Sequence, residues 1–287
     1  MKNKRKQIVI FGAGTTGQRI YYALKDVSEI VGFLDNDETK WGKKIDNISI
    51  LGNADVIHEL SFDEIVICSL TGLQIIREEL LLAGVPAEKI RVDYIETQVK
   101  ARNYFLYDFA KMYYKFWRGG GYAAAEGGVF QGEFSKEINR CFPDNFLYLF
   151  DTFEGFDKRD LDIEWKNGYS HSQAGHLGIT SEKMVLEKMP FKDKVRIKKG
   201  YFPETVNGLE ETRYFFVSLD FDLYQPTLDG LKFFYPRLVV GGCILVHDYF
   251  NTGYFGVEKA VKDFEDNLKV KLYKFPIGDL CSIGIMK

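Results

Sequence analysis

RYFFVSLDFDLYQPTLDGLKFFYPRLVVGGCILVHDY, residues 213–249, is the stretch that decides the fold of the larger part of the chain. Two short apolar runs, at 214–219 and 243–246, end in acidic or histidine side chains, and a segment of helical length separates them. Runs of this kind are typical of strands buried on both faces. The stretch therefore predicts a strand–helix–strand unit in a parallel sheet.

Similar apolar runs lie on either side of this unit. YAAAE, NFLYLFD and KVRIKKG precede it, and VKLYKF and LCSIGIMK follow it. The last two flank PIGD, which predicts a hairpin at the sheet edge. Five parallel strands and a terminal antiparallel pair indicate a doubly wound sheet over residues 119–287.

The first third of the chain repeats the strand–helix rhythm. QIVIF, EIVGFLD and FDEIVICSL are its strand candidates, and residues 1–98 are predicted to form a second Rossmann-like domain. Residues 99–118 carry a helical stripe, formed by Phe105, Leu106, Phe109, Met112, Tyr113 and Phe116. This segment predicts an amphipathic helix that connects two α/β domains and packs its aromatic face on one of them.

Composition excludes several classes of protein. The chain has 287 residues, of which 46% are hydrophobic and 28% charged, an ordinary globular balance. No apolar run approaches the roughly 18 residues of a spanning helix, and the apolar run near the start is too short for a secretory signal. A net charge of −3 argues against a nucleic-acid partner.

Four scattered cysteines without a CxxC pair are typical of a reducing compartment. We therefore expect a cytoplasmic protein without membrane insertion. Its oligomeric state stays open, and a homo-oligomer is one alternative.

A first glycine loop follows the strand QIVIF. Gly12, Gly14 and Gly17 form GxGxxG between a strand and a helix, and Asp35 ends the next strand, where it could accept ribose hydroxyls. One alternative is therefore an NAD-dependent sugar-nucleotide oxidoreductase or epimerase, and the other is a loop that only packs the helix. IVIFGAGTTGQRI and VGFLDND resemble the N-terminal Rossmann-like domains of bacterial polysaccharide-modifying enzymes, which implies surface-glycan biosynthesis.

A second glycine loop, EGGVFQG at 126–132, follows the strand YAAAE. Its wider glycine spacing leaves room for a nucleoside, and carboxylates at successive strand ends suit an amino-acid ammonium and a ribose. S-adenosylmethionine sits in this way in class I methyltransferases, so residues 119–287 are predicted to have the class I methyltransferase fold and to bind this donor. Ser135 is predicted to cap the following helix. The candidate contacts are Glu126, Gly128, Gly132, Ser135, Asp151 and Thr152.

Polar side chains also end the two strands of the opening stretch. Asp220 ends one strand, and His247 and Asp248 end the next. Adjacent parallel strands bring their carboxyl ends together, so these side chains are predicted to hold a divalent metal ion. Side chains alternate along an extended segment, so Asp222 is expected to face away from Asp220.

Several motifs together resemble the macrocin O-methyltransferase family. They are GVFQGEFS at 128–135, LYLFDTFEGF at 147–156, KKGYFPET at 198–205, DFDLYQPTLDGLKFFYPRLVVGG and VHDYF. The resemblance covers about residues 122–265 and implies a metal-dependent enzyme that methylates sugar hydroxyls with S-adenosylmethionine.

The resemblance also implies a magnesium site. In that family an Asp of an Asp-x-Asp segment and an Asp-Asp pair bind magnesium, and the corresponding positions here are Asp220 and the pair His247-Asp248. A histidine ligand suits Mn, Zn or Fe better than Mg. Alternatively, His247 is a base beside a two-carboxylate site.

Methylation of a hydroxyl also needs a proton acceptor. Candidate bases are His247 and the pair His171 and His176, which lie in the Gly/Ser-rich segment GYSHSQAGHLGIT, a composition that suits a lid. The predicted substrate is a nucleotide-linked sugar or glycan precursor. A catechol-like acceptor and a non-enzymatic nucleotide-sensing module are the remaining alternatives.

Overall fold

A computed structural model describes residues 5–69, 72–251, 253–268 and 271–287, with backbone only at 98 and 99. The chain divides into two compact units, Met1–Lys100 and Ala101–Lys287. The division falls inside the segment that the sequence assigned to a connecting helix.

The first unit contains one parallel sheet with a short antiparallel edge. Its elements are β1 (Gln7–Phe11), α1 (Thr15–Leu24), β2 (Glu29–Leu34), β3 (Lys44–Ile45), β4 (Ile48–Gly52), β5 (Glu64–Ile67), α2 (Leu73–Leu82) and β6 (Ile90–Arg91). The strand order is β3-β4-β2-β1-β5-β6, and within it only the β3–β4 pair is antiparallel. The Rossmann-like plan is confirmed, whereas β3, β4 and β6 were not predicted. Strands β3 and β6 are only two residues long and so leave little pattern in the sequence.

Alternate side chains of β1 enter two different cores. Ile8 and Ile10 pack with Ile20 of α1, whereas Val9 and Phe11 pack with Leu80 of α2. Both faces of the sheet are therefore covered, as the continuous apolar strands require.

Helix α3 (Asp93–Tyr113) begins six residues before the predicted start at 99. Two acidic residues occupy its first turn, where they favour the helix dipole. Leu106 and Phe109 are buried in the core of the second unit, as predicted. The prediction is wrong for Met112 and Phe116, which are 57% and 66% exposed. Tyr113 continues the buried stripe in place of Met112, and Phe116 lies in a 3-10 turn after the helix, where the 3.6-residue period no longer applies.

The second unit contains a seven-stranded sheet. Its further elements are β7 (Ala123–Gly127), α4 (Glu133–Cys141), β8 (Phe146–Asp151), α5 (Lys158–Asn167), α6 (Glu182–Lys188), β9 (Val195–Lys199), β10 (Tyr214–Leu219), α7 (Tyr224–Arg237), β11 (Leu238–Val246), α8 (Phe255–Leu268), β12 (Tyr273–Pro276) and β13 (Ile283–Met286). The strand order is β12-β13-β11-β10-β7-β8-β9.

Five of these strands are parallel, and β13 pairs antiparallel with both β11 and β12. The predicted five parallel strands and terminal hairpin are confirmed. The order reverses between β7 and β10, and open α/β sheets bind ligands beyond the carboxyl ends of their strands at such a switch point.

Strand β10 is buried along its whole length and lies at the centre of the sheet, between β11 and β7. Phe215 stacks on Trp117 with ring centroids 5.4 Å apart and meets the edge of Phe142 at 4.8 Å. Each fully buried aromatic side chain contributes about 1.5–3 kcal/mol relative to an exposed one. The strand that carries Asp220 is thus rigidly held.

The four cysteines are free thiols, and three of them are buried. None of the helices among the described residues has the length and apolarity needed to cross a bilayer.

Candidate active site

Acidic and histidine side chains gather at the carboxyl edge of the second sheet. Asp220, Asp222, His247 and Asp248 place ligand atoms within 4.8 Å of one another. We call these four residues the carboxylate cluster. Nδ1 of His247 lies 2.9 Å from Oδ1 of Asp220 and 2.8 Å from Oδ2 of Asp248. This nitrogen therefore carries a hydrogen and donates it between two carboxylates.

Asp222 joins the cluster, against the expectation that it faces away. The chain turns directly after β10: the amide of Leu223 donates to the carbonyl of Phe221 at 2.7 Å, and Asp222 has a left-handed φ of 62°. Alternation of side chains holds only for extended backbone, so the turn brings both carboxylates to one side.

Asp248 also has a left-handed backbone, with φ of 56°. Its Oδ1 accepts hydrogen bonds from Asn251 Nδ2 at 2.6 Å and from the Cys281 thiol at 3.3 Å. Strained non-glycine backbone is tolerated where surrounding contacts fix it, and it concentrates at functional sites. The backbone strain and the hydrogen bonds both orient this carboxylate toward the cluster.

The three carboxylates of the cluster lie close enough together to repel one another when all are ionised. Burial raises the pKa of Asp222, and repulsion from Asp248 raises it further, to well above its ordinary value. Burial opposes ionisation of Asp220 too, but His247 and Arg102 outweigh it and lower the pKa of Asp220. Burial disfavours the charged form of His247, yet Asp220 and Asp248 raise its pKa well above 6.5. A cation among these carboxylates would relieve their mutual repulsion.

The donor set fits a divalent metal ion. Three carboxylates supply hard oxygen ligands of the kind that Mg²⁺ and Mn²⁺ prefer, and one imidazole adds a ligand suited to Mn²⁺ or Zn²⁺. The sequence-predicted residues Asp220, His247 and Asp248 are brought together, with Asp222 as an addition.

Arg102 of α3 also enters this site, and sequence reasoning missed it. Its Nη1 donates to Oδ2 of Asp220 at 2.9 Å, and its Nη2 donates to the hydroxyl of Ser218 at 2.9 Å. The same Nη2 lies 4.0 Å from Oε1 of Glu126, and the guanidinium packs 3.9 Å from the ring centroid of Phe134. Nothing in the local pattern around residue 102 distinguishes this arginine from a solvated one.

The second glycine loop lies against the start of the cluster. Gly128 has a φ of +77°, and a Cβ built on it would lie 1.9 Å from the backbone oxygen of Asp220. The amide of Asp220 in turn donates to the carbonyl of Gly127 at 2.7 Å. Glycine is therefore required for this close approach. Gly132 has a φ of +79° and caps α4.

Glu126 is 2% exposed and accepts a hydrogen bond from the hydroxyl of Ser135. The predicted role of Ser135 as helix cap is wrong, because α4 begins at Glu133 with Gly132 before it. Ser135 instead lies in the first turns of the helix, turned inward toward Glu126. Burial raises the pKa of Glu126 to about 8, while Arg102 and Ser135 act in the opposite direction.

Asp151 holds the second glycine loop in place. Its Oδ2 accepts from the amides of Val129 at 2.7 Å and Phe130 at 2.9 Å, and its Oδ1 accepts from Phe153 at 2.7 Å. Thr152 donates to the carbonyl of Gly155 at 2.7 Å. A contact of Asp151 with ribose would use the lone pairs that these amides leave.

The first glycine loop, in the first unit, also has a glycine in close backbone contact and an aspartate that accepts a hydrogen bond from a loop amide. A Cβ on Gly17 would lie 1.7 Å from the carbonyl oxygen of Gly12, which itself has a φ of +111°, whereas Gly14 has open space. Asp35 accepts from the amide of Ala13 at 2.8 Å and from Lys40 at 3.1 Å. Gly17 thus allows the helix to approach the strand, as packing requires.

Segment 168–180 carries His171 and His176 on exposed positions. His176 meets the edge of Phe156 at 5.7 Å. His171 lines a cavity of about 560 Å³ together with Trp165, Gln173 and Ala174. Among the described side chains, the group of metal-ligating atoms at the sheet edge includes His247 but neither of these histidines.

The segment and the cluster are linked through Tyr254. Its hydroxyl bonds to Ser172, and the indole of Trp165 donates to the carbonyl of Ser172 at 2.8 Å. Burial, and then the nearby Asp222 and Asp248, raise the pKa of Tyr254. Tyr254 is therefore hydrogen-bonded to the segment that lines the cavity and lies close enough to Asp222 and Asp248 to feel their charges.

Comparison with protein families gives a match over this whole region. The model described as Macrocin-O-methyltransferase (TylF) matches residues 114–282. The chain belongs to the macrocin O-methyltransferase family. A second model, described as C2185-like, N-terminal, matches residues 4–91.

Two curated relatives are named as sugar O-methyltransferases. The 8-demethyl-8-(2,3-dimethoxy-alpha-L-rhamnosyl)-tetracenomycin-C 4'-O-methyltransferase of Streptomyces olivaceus is 30% identical over 137 residues, which are 43% of this chain and 51% of the relative. Mycinamicin III 3''-O-methyltransferase of Micromonospora griseorubida is 28% identical over 137 residues, which are 43% of this chain and 54% of the relative. The chain spans about half the length of these curated relatives.

The solved structure of the O-methyltransferase NovP shares the fold. It aligns with a TM-score of 0.51 at 20% identity, over 65% of this chain and 79% of NovP. This family member therefore has the Rossmann-like methyltransferase fold that its sequence predicted.

Proposed function

We propose that the chain transfers a methyl group from S-adenosylmethionine to a hydroxyl of a sugar, assisted by a divalent metal ion. The observation that carries the proposal is the contact between the two halves of the site. The glycine loop after β7 and the carboxylate cluster after β10 meet through the 2.7 Å hydrogen bond from Asp220 to Gly127. A donor on the loop and an acceptor at the cluster would therefore lie side by side.

The two curated relatives are named as sugar O-methyltransferases, which supports a sugar acceptor. The first unit resembles domains of polysaccharide-modifying enzymes, so we infer a nucleotide-linked sugar or glycan precursor as substrate, used in a cytoplasmic step of surface-polysaccharide synthesis.

The loop residues bind and orient the donor. Glu126 accepts a hydrogen bond from its ammonium group, and the remaining lone pairs of Asp151 accept from its ribose hydroxyls. Gly128 and Gly132 let the loop pack against the backbone of Asp220 and the side chain of Val185, where a Cβ would overlap, and so shape the surface that the donor would meet. The donor is already activated as a sulfonium, so alignment is the main contribution of the protein.

The carboxylate cluster binds the sugar hydroxyl that accepts the methyl group. Asp220, Asp222 and Asp248 would hold the metal ion, which when bound supplies positive charge that makes a nearby hydroxyl more acidic. His247 takes the hydroxyl proton on Nε2, since its Nδ1 donates to Asp220 and Asp248. The imidazole must be neutral to accept this proton, and positive charge from a metal ion held by the carboxylates would favour that form.

The cavity at Trp165 is the place for the sugar. An exposed indole offers a face on which a sugar ring stacks, and His171 and Gln173 offer hydrogen bonds to its hydroxyls. The hydrogen bond between Ser172 and Tyr254, whose hydroxyl feels the charges of Asp222 and Asp248, supports a sugar position near the cluster.

Thermal unfolding with S-adenosylhomocysteine tests the donor half of the proposal. At 100 times its Kd the ligand is expected to stabilise the folded chain by about 2.7 kcal/mol. NAD(H) serves as the matched comparison, since the first glycine loop suggests an oxidoreductase. Stabilisation by NAD(H) and none by millimolar S-adenosylhomocysteine would refute the proposal.

Methyl transfer to a panel of acceptors tests the other half. We expect products from nucleotide-linked sugars and none from catechols, with a rate that falls on removal of divalent ions by chelation. Turnover of catechols alone would move the acceptor class away from sugars.

A further inference from the structure

Arg102 places a fixed positive charge where the carboxylate cluster would receive a cation. Its side chain is 13% exposed, and its guanidinium is held by Asp220, by Ser218 and by the ring of Phe134. These contacts come from β10, the turn after it and α4, so the charge cannot move away without breaking contacts on several elements.

The two oxygens of Asp220 are divided between two cationic groups. Oδ1 faces Nδ1 of His247 at 2.9 Å, and Oδ2 faces Nη1 of Arg102 at 2.9 Å. An incoming metal ion would have to share Oδ2 with the guanidinium through its other lone pair, or displace the guanidinium. Asp222 and Asp248, in contrast, have no arginine or lysine among the ion pairs of the described residues.

We propose that Arg102 is a positioning residue that sets the divalent-ion affinity of the carboxylate cluster. It weakens ion binding by keeping one oxygen of Asp220 occupied and by repelling the ion, and it thereby keeps the ion exchangeable. The inference rests on the metal site of the proposed function and names a residue that tunes it.

Electrostatics gives the sign of the effect. Arg102 and the bound ion are like charges that share one carboxylate, so they repel across a few ångströms of partly buried site. Loss of the arginine charge is therefore expected to tighten ion binding by about tenfold to a hundredfold. A purely structural role predicts the reverse, because a disordered Asp220 would bind the ion less well.

Mn²⁺ titration of the metal-free full chain, followed by electron paramagnetic resonance of the free ion, tests the sign. Arg102→Met removes the charge at similar length and should lower the Kd for Mn²⁺. Arg102→Lys retains the charge and should keep the Kd near that of the wild type. Arg159→Met is the matched control: Arg159 pairs with Asp157 and Glu204, and its loss should leave the Kd unchanged.

Equal or weaker Mn²⁺ binding by Arg102→Met would overturn the inference, provided that circular dichroism shows a folded chain. Should that variant fail to fold, Arg102→Gln replaces it, since it removes the charge and retains a donor for Ser218. Asp220→Asn in the Arg102→Met background must abolish the tightened binding, and persistence of that binding would also overturn the inference. Failure of the proposed function is visible separately, as absence of S-adenosylhomocysteine binding by the wild type.

Discussion

Gly128→Ala is the substitution that most directly tests the contact between the glycine loop and the carboxylate cluster. A Cβ at this position would lie 1.9 Å from the backbone oxygen and 2.5 Å from the carbonyl carbon of Asp220. Backbone atoms cannot rotate aside as a side chain can. The loop or Asp220 must therefore move by about 1 Å to restore ordinary contact distances.

Gly121→Ala is a control of the same backbone conformation. Gly121 has a φ of +76°, against +77° for Gly128, and no atom lies within 4 Å of a Cβ built on it. Both substitutions lose about 1–2 kcal/mol because an alanine is strained in left-handed backbone. Gly128→Ala should lose a further ~1–3 kcal/mol for the steric overlap.

The same movement should reach function through Asp220. A displacement of about 1 Å at a reacting site costs on the order of a hundredfold in rate. We therefore expect Gly128→Ala to weaken binding of Mn²⁺ and S-adenosylhomocysteine and to slow methyl transfer, whereas Gly121→Ala should keep wild-type affinities.

Urea denaturation gives the free energies of unfolding, and isothermal titration calorimetry gives the two affinities. Equal destabilisation by the two alanine variants, with unchanged affinities in both, would refute the close approach of loop and cluster.

Four further outcomes are expected. Asp248→Asn should abolish Mn²⁺ binding and metal-stimulated turnover but leave the calorimetric affinity for S-adenosylhomocysteine intact; loss of both would place Asp248 outside the metal site. Glu126 has a folded pKa of about 8, above its ordinary 4.5, so folded wild type binds the extra proton and loses stability as pH rises between these values. The non-titrating variant Glu126→Gln should then gain about 1.4 kcal/mol per pH unit relative to wild type in urea denaturation, and a constant difference would contradict the shift. Gly17→Ala should lower the unfolding temperature of the first unit because its Cβ meets Gly12, whereas Gly14→Ala should not; equal effects would argue against that contact. Trp165→Ala should raise the KM for the sugar acceptor without changing donor affinity, and an unchanged KM would remove the indole from the acceptor site.

The strands of the second sheet were predictable because each is an apolar run bounded by turn residues. The convergence of Asp220 and Asp248 followed from the rule that adjacent parallel strands end at one edge. Both inferences use information that lies within a few residues of the feature itself. Strands β3 and β6 of the first unit, with two residues each, are too short to give such a signal.

Arg102 could not be predicted for a different reason. It lies 118 residues before Asp220, and only the packing of α3 brings its guanidinium to the cluster. Asp222 was misassigned because a turn with left-handed backbone replaces the extended strand at that residue. Ser135 was misassigned because Gly132 ends the loop and begins the helix earlier than the serine suggested.

The hold of Asp151 on Val129 and Phe130 means that the donor meets a surface that is already shaped. The loop at Val129 and Phe130 does not have to be ordered when the ligand arrives, so the association loses little conformational entropy there. The amide hydrogens of Val129 and Phe130 should accordingly exchange slowly with deuterium in the ligand-free chain. Selection among adenosine-containing molecules then depends on the shape of a rigid binding site. A nucleoside that does not fit this shape cannot raise its affinity by rearranging the loop.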